Sequence, residues 1–510
     1  MSIFDWVIVA AYMGFSIVVG IISRRRVSNM ADFLVADRDV GLHLGVAALT
    51  GTELGIITVM ALSEFGYAHG FSAMMFALCF FVGVTFVGAT GFVITRLRRS
   101  MVMTIPEFYG QRYGGKVRWL GGLVLALAGI LNMGVFLKVG AIFFAHISGL
   151  DQQSVNLVMG VLLVAVLSYT LLGGMVSVVL TGYVQFIFLV LGILVATVFT
   201  FRTVSFSDMY DVVAVQKGYG GMNPFANADM GLMFVLLNVL VFMAVPTVWQ
   251  PAASRALSAK NPEVAQRTTL LSGLTFMGRG ALPIIWGIAA LTYFSLHPEQ
   301  SPTDMSQSHL AISAMPRFLA IVLPVGMIGL FVAGMFAADM STYNAYLLAW
   351  SGILTHDVIV PIFGSRLSEK ARLIINRMCI VLIGLFLLWW GLVYTPSATF
   401  IQYQQVTGTI YMSGALACVV LGLYWTGANA AGAAASIVVG ALFPLVNVFL
   451  AGQLPESLAF LRNGWTSGFI AFVLAFAAML LVSWLTSPWV KPLTVAEPIP
   501  LSVNSPVPLS

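Results

Sequence analysis

Long apolar runs recur along the whole chain, and they limit its fold more than any other feature. A run of about 20 apolar residues is long enough to cross a bilayer as an α-helix, and about 13 such runs can be read between Trp6 and Trp484. They lie near 5–22, 41–68, 71–95, 118–147, 154–172, 177–201, 230–249, 268–293, 317–353, 373–395, 398–424, 428–451 and 466–486. Only 8% of the residues are charged, against roughly a quarter in a soluble domain. The sequence therefore predicts an all-α integral membrane protein whose main partner is the lipid bilayer.

The basic residues predict the orientation of these spans. Four of the 24 Lys and Arg residues lie in loops on one side, and two lie inside spans, which leaves 18 in loops on the other side. Because basic loops remain in the cytoplasm, we expect a multi-pass protein of a bacterial-type inner membrane with a periplasmic N-terminus and a cytoplasmic C-terminus. The charges are spread over short loops, so no nucleic-acid partner is predicted. Arg24, Arg25 and Arg26 stop the first apolar run, which should be retained as a helix.

Two spans contain residues that interrupt a membrane helix. Thr50-Gly51-Thr52-Glu53-Leu54-Gly55 places two glycines, two hydroxyls and a carboxylate at mid-membrane depth, and Val245–Pro251 brackets polar residues with two prolines. Gly and Pro are common in membrane helices in general. However, paired interruptions are typical of a transporter site built on broken helices. Since the two lie five spans apart, each can open a five-helix repeat, the second with inverted topology.

This reading divides the chain into membrane units without soluble domains. The span 317–353 is long enough for a tilted helix with a cytoplasmic extension. The proline-rich end of the sequence is predicted to be disordered. The expected units are a leading helix and loop at 1–40, a first repeat at 41–201, an external loop at 202–229, a second repeat at 230–425, two trailing helices at 426–486 and a tail at 487–510.

Four segments carry a family resemblance. The run from Tyr169 to Gln185, YTLLGGMVSVVLTGYVQ, resembles the solute:sodium symporter family, whose pattern there is Tyr-Thr, two residues, Gly-Gly, then Val and Thr-Asp-x-x-Gln. Segments 31–38, 104–114 and 337–342 are similar to other family motifs in the expected order, so the resemblance covers about 5–425. It implies the LeuT-type fold of two inverted five-helix repeats, and sodium-coupled carriage as in the family's proline, glucose and sialic acid carriers.

The resemblance also implies a binding site for the coupling ion, sodium. Carried over residue by residue, the ligands are the carbonyls of Gly51, Leu54 and Ala338 and the hydroxyls of Ser341 and Thr342. A broken membrane helix is where free carbonyls are available. The alternative is that these hydroxyls only bond back to carbonyls of their own helix.

One departure from the family concerns the coupling residues. Gly182 stands where the family motif has an aspartate, so the usual carboxylate is missing. Asp339 on the neighbouring helix is predicted to restore the charge, with Gln185 as a second coupling residue. Asp339 is two residues from Ser341, about 200° around a helix, so the alternative is that it faces elsewhere.

The expected solute site combines polar and aromatic residues. The resemblance and the interruptions indicate Thr52, Glu53, Lys138, Trp249, Gln250, Gln402 and Tyr403. Glu53 could hold an ammonium group or assist sodium, and Lys138 could face a carboxylate or only pair with Glu53. Arg279 is interpreted as a structural strut, because charges inside membranes are usually paired. Trp and Tyr near span ends are also ordinary interface anchors.

Several other functions are weaker interpretations. A phosphate loop fails because Lys116 is followed by Val117 rather than Ser or Thr, and the six His residues lack ligand spacing, so no enzyme is predicted. The prediction is a symporter importing a small organic solute, with an amino acid or organic acid favoured over sugars and vitamins. A solute sensor with little flux, a proton-coupled carrier and a channel stay open as alternatives. The sequence does not indicate an oligomeric state, and a monomer suffices for this function.

Overall fold

The computed structural model describes residues 1–23, 40–301, 307–363, 367–394 and 399–490. These residues form α-helices joined by short loops, and within them no β-strand occurs apart from an isolated bridge between Val40 and Ala259. The α-helices are α1 Ile3–Ser23, α2 Leu42–Glu53, α3 Ile56–His69, α4 Met74–Thr90, α5 Ile94–Arg99, α6 Ile105–Tyr113, α7 Gly115–Met133, α8 Phe136–Ile147, α9 Val155–Thr203, α10 Phe206–Lys217, α11 Gly231–Val248, α12 Gln250–Leu257, α13 Pro262–Leu296, α14 Gln307–Val322, α15 Met327–Ile353, α16 Val360–Phe363, α17 Glu369–Val393, α18 Phe400–Tyr424, α19 Ala430–Leu450 and α20 Gly464–Thr486. The predicted all-α class is confirmed.

Short helices of other types complete the loops. A π-helix at Leu354–Ile359 links α15 to α16. The 3₁₀ helices are Gly70–Ala73, Gln152–Ser154, Gly218–Gly221, Pro298–Gln300, Ala451–Gln453 and Glu456–Arg462.

Many of the helices are long enough and apolar enough to cross a membrane. In the described part of the chain, nine helices qualify, and Ile187–Thr203 with Phe206–Gly221 would form a tenth, bent by 76°. Shorter apolar segments lie at Ile3–Phe15, Leu42–Gly51, Gln152–Ser168 and Leu310–Val322. The polytopic membrane class is therefore supported, whereas this criterion does not reach the predicted number of 13 spans.

Two predicted span boundaries are wrong. The spans 154–172 and 177–201 lie in one continuous helix, α9, of 49 residues, because the glycines between them do not end it. Conversely, 317–353 is not a single helix. Pro324 cannot continue a helix, Gly326 has a φ of +87°, and α14 and α15 are separate elements on either side.

Three predictions fall outside the described structure. They concern the arginine stop at 24–26, the family motif at 31–38 and the tail from residue 491. The side chains of Thr52 and of residues 172–184, which include most of the motif ending at Gln185, are likewise not described.

Helices α3 and α13 pack in backbone contact at the centre of the molecule. Gly66 on α3 lies against the carbonyl of Ile284, and Gly287 on α13 lies against the carbonyl of Ser63, so that a Cβ at either glycine would overlap the opposing backbone. The Ser63 hydroxyl also donates to the carbonyl of Pro283 at 2.9 Å. Small residues permit such close approach in membrane proteins, and here they hold the two helices at a fixed separation.

The trailing helices α19 and α20 form a second close contact. Asn429, which caps α19, donates its amide to the Ser483 carbonyl at 3.0 Å and to the Thr486 hydroxyl at 2.9 Å. Farther along, the Ser436 hydroxyl donates to the carbonyl of Ala475 at 2.8 Å. Each of these polar side chains has a partner on the adjacent helix, as expected where polar groups fasten helices together.

Candidate functional site

The first predicted interruption is a true helix break. Helix α2 ends at Glu53 and α3 begins at Ile56, with non-helical torsions at Leu54 (φ −109°, ψ 68°) and Gly55 (φ −89°, ψ 172°). The Thr58 hydroxyl donates to the Glu53 carbonyl at 3.1 Å. The ends of both helices leave backbone groups without intrahelical partners, so the break supplies carbonyl oxygens at α2 and N–H groups at α3 inside the protein.

Two hydroxyl residues of α15 lie directly against this break. A Cβ built on Gly51 would lie 3.8 Å from Ser341 Oγ, and one built on Gly55 would lie only 2.6 Å from Thr342 Oγ1. Ala338 is one turn away on the same side of α15 and is buried, as is Leu54. The structure thus brings the predicted sodium residues of α2 and of α15 together. Gly55, which the sequence prediction did not select, gives the space that Thr342 occupies.

The second predicted interruption lies at Trp249, between α11 and α12. Trp249 has extended torsions (φ −78°, ψ 107°), its indole N–H donates to Tyr346 Oη at 3.1 Å, and its ring packs edge-on against Trp350. The neighbouring Gln250 turns to other partners. Its amide oxygen accepts from the Ile105 N–H at 2.9 Å, and its amide nitrogen donates to the Met103 carbonyl at 3.1 Å.

A cavity of about 80 Å³ lies between the two breaks. Of the predicted solute residues, Glu53 and Trp249 line it. Its walls also include amides, which suits a small solute with polar and apolar parts. The full lining is Glu53, Thr58, Phe76, Phe80, Asn132, Phe242, Val245, Trp249, Arg279, Tyr346, Ile401, Gln404, Gln405 and Met412.

The other predicted solute residues with described side chains do not line the cavity. Lys138 Nζ donates to the carbonyl of Tyr394 at 2.9 Å. Tyr403 Oη donates to the carbonyl of Leu131 and accepts from the indole of Trp390.

Gln402 lies beside another helix. It approaches Gly464 on α20, whereas the α18 residues that line the cavity are Ile401, Gln404, Gln405 and Met412. Successive helical residues differ by about 100°, so Gln402 lies on a different face of α18 from its neighbours that line the cavity.

Arg279 is the cavity residue that the sequence interpretation assigned differently. It is 4% exposed at the middle of α13, and its guanidinium lies 3.7 Å from the ring centre of Phe276 and 4.3 Å from that of Phe80. Among the described residues, neither its Nε nor its Nη1 has a hydrogen-bond partner. Glu53 Oε1 is also buried without such a partner in that part of the chain. These two charges attract one another, but they do not form the hydrogen-bonded strut that we expected.

The two predicted coupling residues are buried away from the cavity. Asp339 Oδ2 lies 3.8 Å from the position of a Cβ on Gly140 of α8, so this carboxyl faces α8. Gln185 on α9 is buried, and neither atom of its amide group has a partner among the described residues. The geometry separates Asp339 from Ser341 around α15, in agreement with their spacing.

Known proteins share both the sequence pattern and the fold. The sequence profile of the sodium:solute symporter family matches residues 33–440. Sodium/proline symporter 2 of Staphylococcus saprophyticus is 22% identical over 436 residues, covering 83% of this chain and 81% of that protein. The substrate-bound, outward-open structure of a Na⁺-coupled sialic acid symporter superimposes with a TM-score of 0.77 at 16% identity, covering 96% of this chain and 98% of that one. A nucleobase-cation-symport-1 family transporter in a closed conformation gives 0.53 at 14% identity, covering 91% and 96%.

Proposed function

The chain belongs to the sodium:solute symporter family, and from this premise we propose that it imports a small organic solute together with sodium by alternating access. An amino acid or organic acid is the favoured solute. The fold, with structural neighbours of LeuT type, supports the proposed arrangement of two inverted repeats at 41–201 and 230–425. The proposed setting is a bacterial inner membrane, with a periplasmic N-terminus, a cytoplasmic C-terminus and the monomer as the working unit.

The observation that carries this proposal is the contact of Ser341 and Thr342 with the α2–α3 break. Sodium would be held by these two hydroxyls and by the carbonyls of Gly51, Leu54 and Ala338. All five are neutral oxygen ligands, the class that hard cations prefer. They belong to two separate elements, so a bound ion would join α15 to the broken helix.

Coupling follows because the sodium ion and the solute would both contact α2 next to the helix break. Glu53, at the end of α2, lines the solute cavity, and Gly51, two residues earlier, adjoins Ser341. An ion that orders the break prepares the solute site, and by linkage the solute strengthens ion binding by the same factor. Asp339 and Gln185 are proposed to adjust the ion's affinity from outside this site. Among the predicted solute residues, the lining of the cavity favours Glu53 and Trp249.

The experiment is uptake by the purified full-length chain in proteoliposomes, with an inward sodium gradient, an equal potassium gradient or a proton gradient alone. Amino acids and organic acids serve as the test solutes. We expect uptake with sodium and little with potassium. Ser341→Ala and Thr342→Ala should each raise the sodium concentration for half-maximal uptake roughly tenfold, since the loss of one oxygen ligand should cost about as much as the loss of one hydrogen bond to a charged group.

The matched control is Thr203→Val, which removes an exposed hydroxyl that only donates to the carbonyl of Phe199. It should behave as the parent chain. Equal uptake in potassium would contradict sodium coupling, and uptake driven by the proton gradient alone would favour the proton-coupled alternative. Saturable solute binding without uptake under any gradient would favour a sensor.

A further inference from the structure

The cavity holds a buried cation whose purpose the proposed function leaves open. Arg279 projects from the middle of α13 into the cavity that Glu53 and Trp249 also line. A guanidinium has five N–H donors, and at least the Nε and Nη1 donors are unused by the described residues. A buried donor without a partner is costly, more so when charged, so this group is suited to a partner that arrives from outside.

The aromatic rings around Arg279 hold its guanidinium in place. Phe276, on the same helix, and Phe80, on α4, both contact the planar group through their faces. Such contacts stabilise the cation without using its N–H donors. The N–H donors therefore remain available along the edges of the guanidinium plane, where a carboxylate binds in a bidentate manner.

Glu53 supplies the complementary charge in the same cavity. Its Oε1 is buried without a hydrogen-bond partner in the described chain, and the aromatic rings of Trp249 and Tyr346 line the space beside it. A carboxylate with aromatic neighbours is suited to an ammonium group. Arg279 and Glu53 together have no net charge, and the buried Arg255 of α12 also attracts Glu53. A zwitterion would leave the total charge of the site unchanged while it gives Arg279 and Glu53 each a partner.

We propose that the cavity selects neutral zwitterions, with the solute carboxylate on Arg279 and its ammonium group on Glu53. This inference rests on the proposed function and narrows its solute class. It assigns the carboxylate to Arg279 rather than to Lys138, whose ammonium group donates to the Tyr394 carbonyl. The walls formed by Phe242, Ile401 and Met412 would contact the apolar body of the solute.

The selectivity test uses compounds that differ by one charged group. Thermal stability of the purified full-length chain is measured in sodium with the 20 common L-amino acids, and each hit is compared with its decarboxylated amine and its deaminated acid. For L-proline, these are pyrrolidine and cyclopentanecarboxylate. We expect a neutral amino acid to raise the melting temperature and both truncated compounds to bind about tenfold to hundredfold more weakly, since each lacks one charged hydrogen-bonding partner.

Variants then assign each end of the solute to its residue. In Arg279→Gln, the amino acid should lose its advantage over the amine but keep its advantage over the acid. Glu53→Gln should show the reverse pattern, and Arg279→Lys should retain part of the preference for a carboxylate. If Arg279 and Glu53 had only structural roles, each substitution would weaken binding of the amino acid, the amine and the acid to the same extent. The double variant Arg462→Gln with Glu456→Gln, which removes an exposed ion pair of 3.2 Å, is the control and should keep the parent's selectivity.

The possible results separate this inference from the proposed function. Sodium-dependent binding of a sugar or a simple acid in place of every amino acid would overturn the zwitterion site and leave sodium symport intact. If Arg279→Gln and Glu53→Gln show the opposite selectivities described above, but zwitterions bind with equal affinity in sodium and in potassium, the site would be supported and sodium coupling contradicted. Equal affinity for an amino acid and its amine in the parent chain would also overturn the assignment.

Discussion

The cavity between the helix breaks and the contact between α19 and α20 use polar residues in opposite ways. In the α19–α20 contact, Asn429 and Ser436 donate to groups on the neighbouring helix at 2.8–3.0 Å. In the cavity, Glu53 and Arg279 are buried, and named atoms of both lack a partner among the described residues. Asn429 and Ser436 are buried as well, so burial alone does not distinguish the two regions.

The difference teaches how a polar residue within a membrane can be interpreted. A satisfied group contributes to stability, typically by less than 1 kcal/mol per hydrogen bond. An unsatisfied group costs stability and is kept only where another requirement applies. Substitutions should therefore reduce transport at the breaks and reduce stability at the α19–α20 contact.

The largest effect is expected at Gly55. In Gly55→Ala, the new methyl group would lie 2.6 Å from Thr342 Oγ1, and overpacking of this kind costs about 1–3 kcal/mol. Sodium activation of uptake should weaken tenfold to hundredfold. Gly160→Ala, at a glycine on α9 with nothing within 4 Å, is the matched control. Unchanged sodium activation in Gly55→Ala would contradict the ion site at the break.

Asp339 should show the next largest effect. If its charge favours sodium from the side of α8, Asp339→Asn should raise the half-saturating sodium concentration roughly tenfold, as expected for the loss of one nearby charge at an effective dielectric constant near 20. The solute's affinity at saturating sodium should be unchanged. Sodium titration of uptake provides the measurement. If sodium dependence stays the same, Asp339 does not replace the carboxylate missing at Gly182.

Asn429 tests the α19–α20 contact, where substitutions should affect stability rather than transport. Asn429→Ala removes the cap of α19, in which Oδ1 accepts from the Gly432 N–H at 3.0 Å, and the contacts to α20. A stability loss of about 1 kcal/mol is expected from the cap alone. The melting temperature should fall, while sodium activation and solute selectivity per folded molecule stay at parent values. A changed sodium activation would remove the distinction between the two regions.

Ser436→Ala should give the smallest effect. It removes a hydrogen bond of 2.8 Å to the Ala475 carbonyl and a longer one of 3.5 Å to the Gly414 carbonyl. The shorter one is worth about 0.6 kcal/mol on average in a membrane protein. A melting temperature lower by a degree or two, with normal uptake, is the expected outcome. A transport defect larger than that of Asp339→Asn would show that α19 and α20 take part in the cycle.

The helix breaks were predictable because backbone chemistry marks them locally. Gly51 and Gly55 in one span, and Pro246 and Pro251 in the other, are sufficient to place them within a few residues. The same backbone chemistry at Pro324 and Gly326 divides a predicted span. The glycines inside α9 do not have this effect, and the helix continues through them.

The cavity was less predictable because it depends on which face each helix turns inward. The sequence predicts Gln402 of α18 as a solute residue, but Gln404 and Gln405 line the cavity. The sequence of this segment has no pattern that shows which face of the helix turns toward the cavity. Arg279 was interpreted as a strut because most membrane charges are paired. Its open donors depend on packing against Phe80, 199 positions away in sequence, which no local pattern indicates.

The backbone contact between α3 and α13 fixes the position of one half of the proposed solute site. Gly66 and Gly287 interlock with opposing carbonyls, so the helices cannot slide past one another without separating. Arg279 therefore keeps its offset from α3, whereas Glu53 belongs to α2, across the break. Thr50 of α2 also shares a hydrogen bond of 2.9 Å with Thr275 of α13. Torsion at Leu54 and Gly55 can therefore vary the spacing between the two charges only as far as this contact permits. The site would therefore select solutes whose distance from carboxylate to ammonium matches the spacing between Arg279 and Glu53.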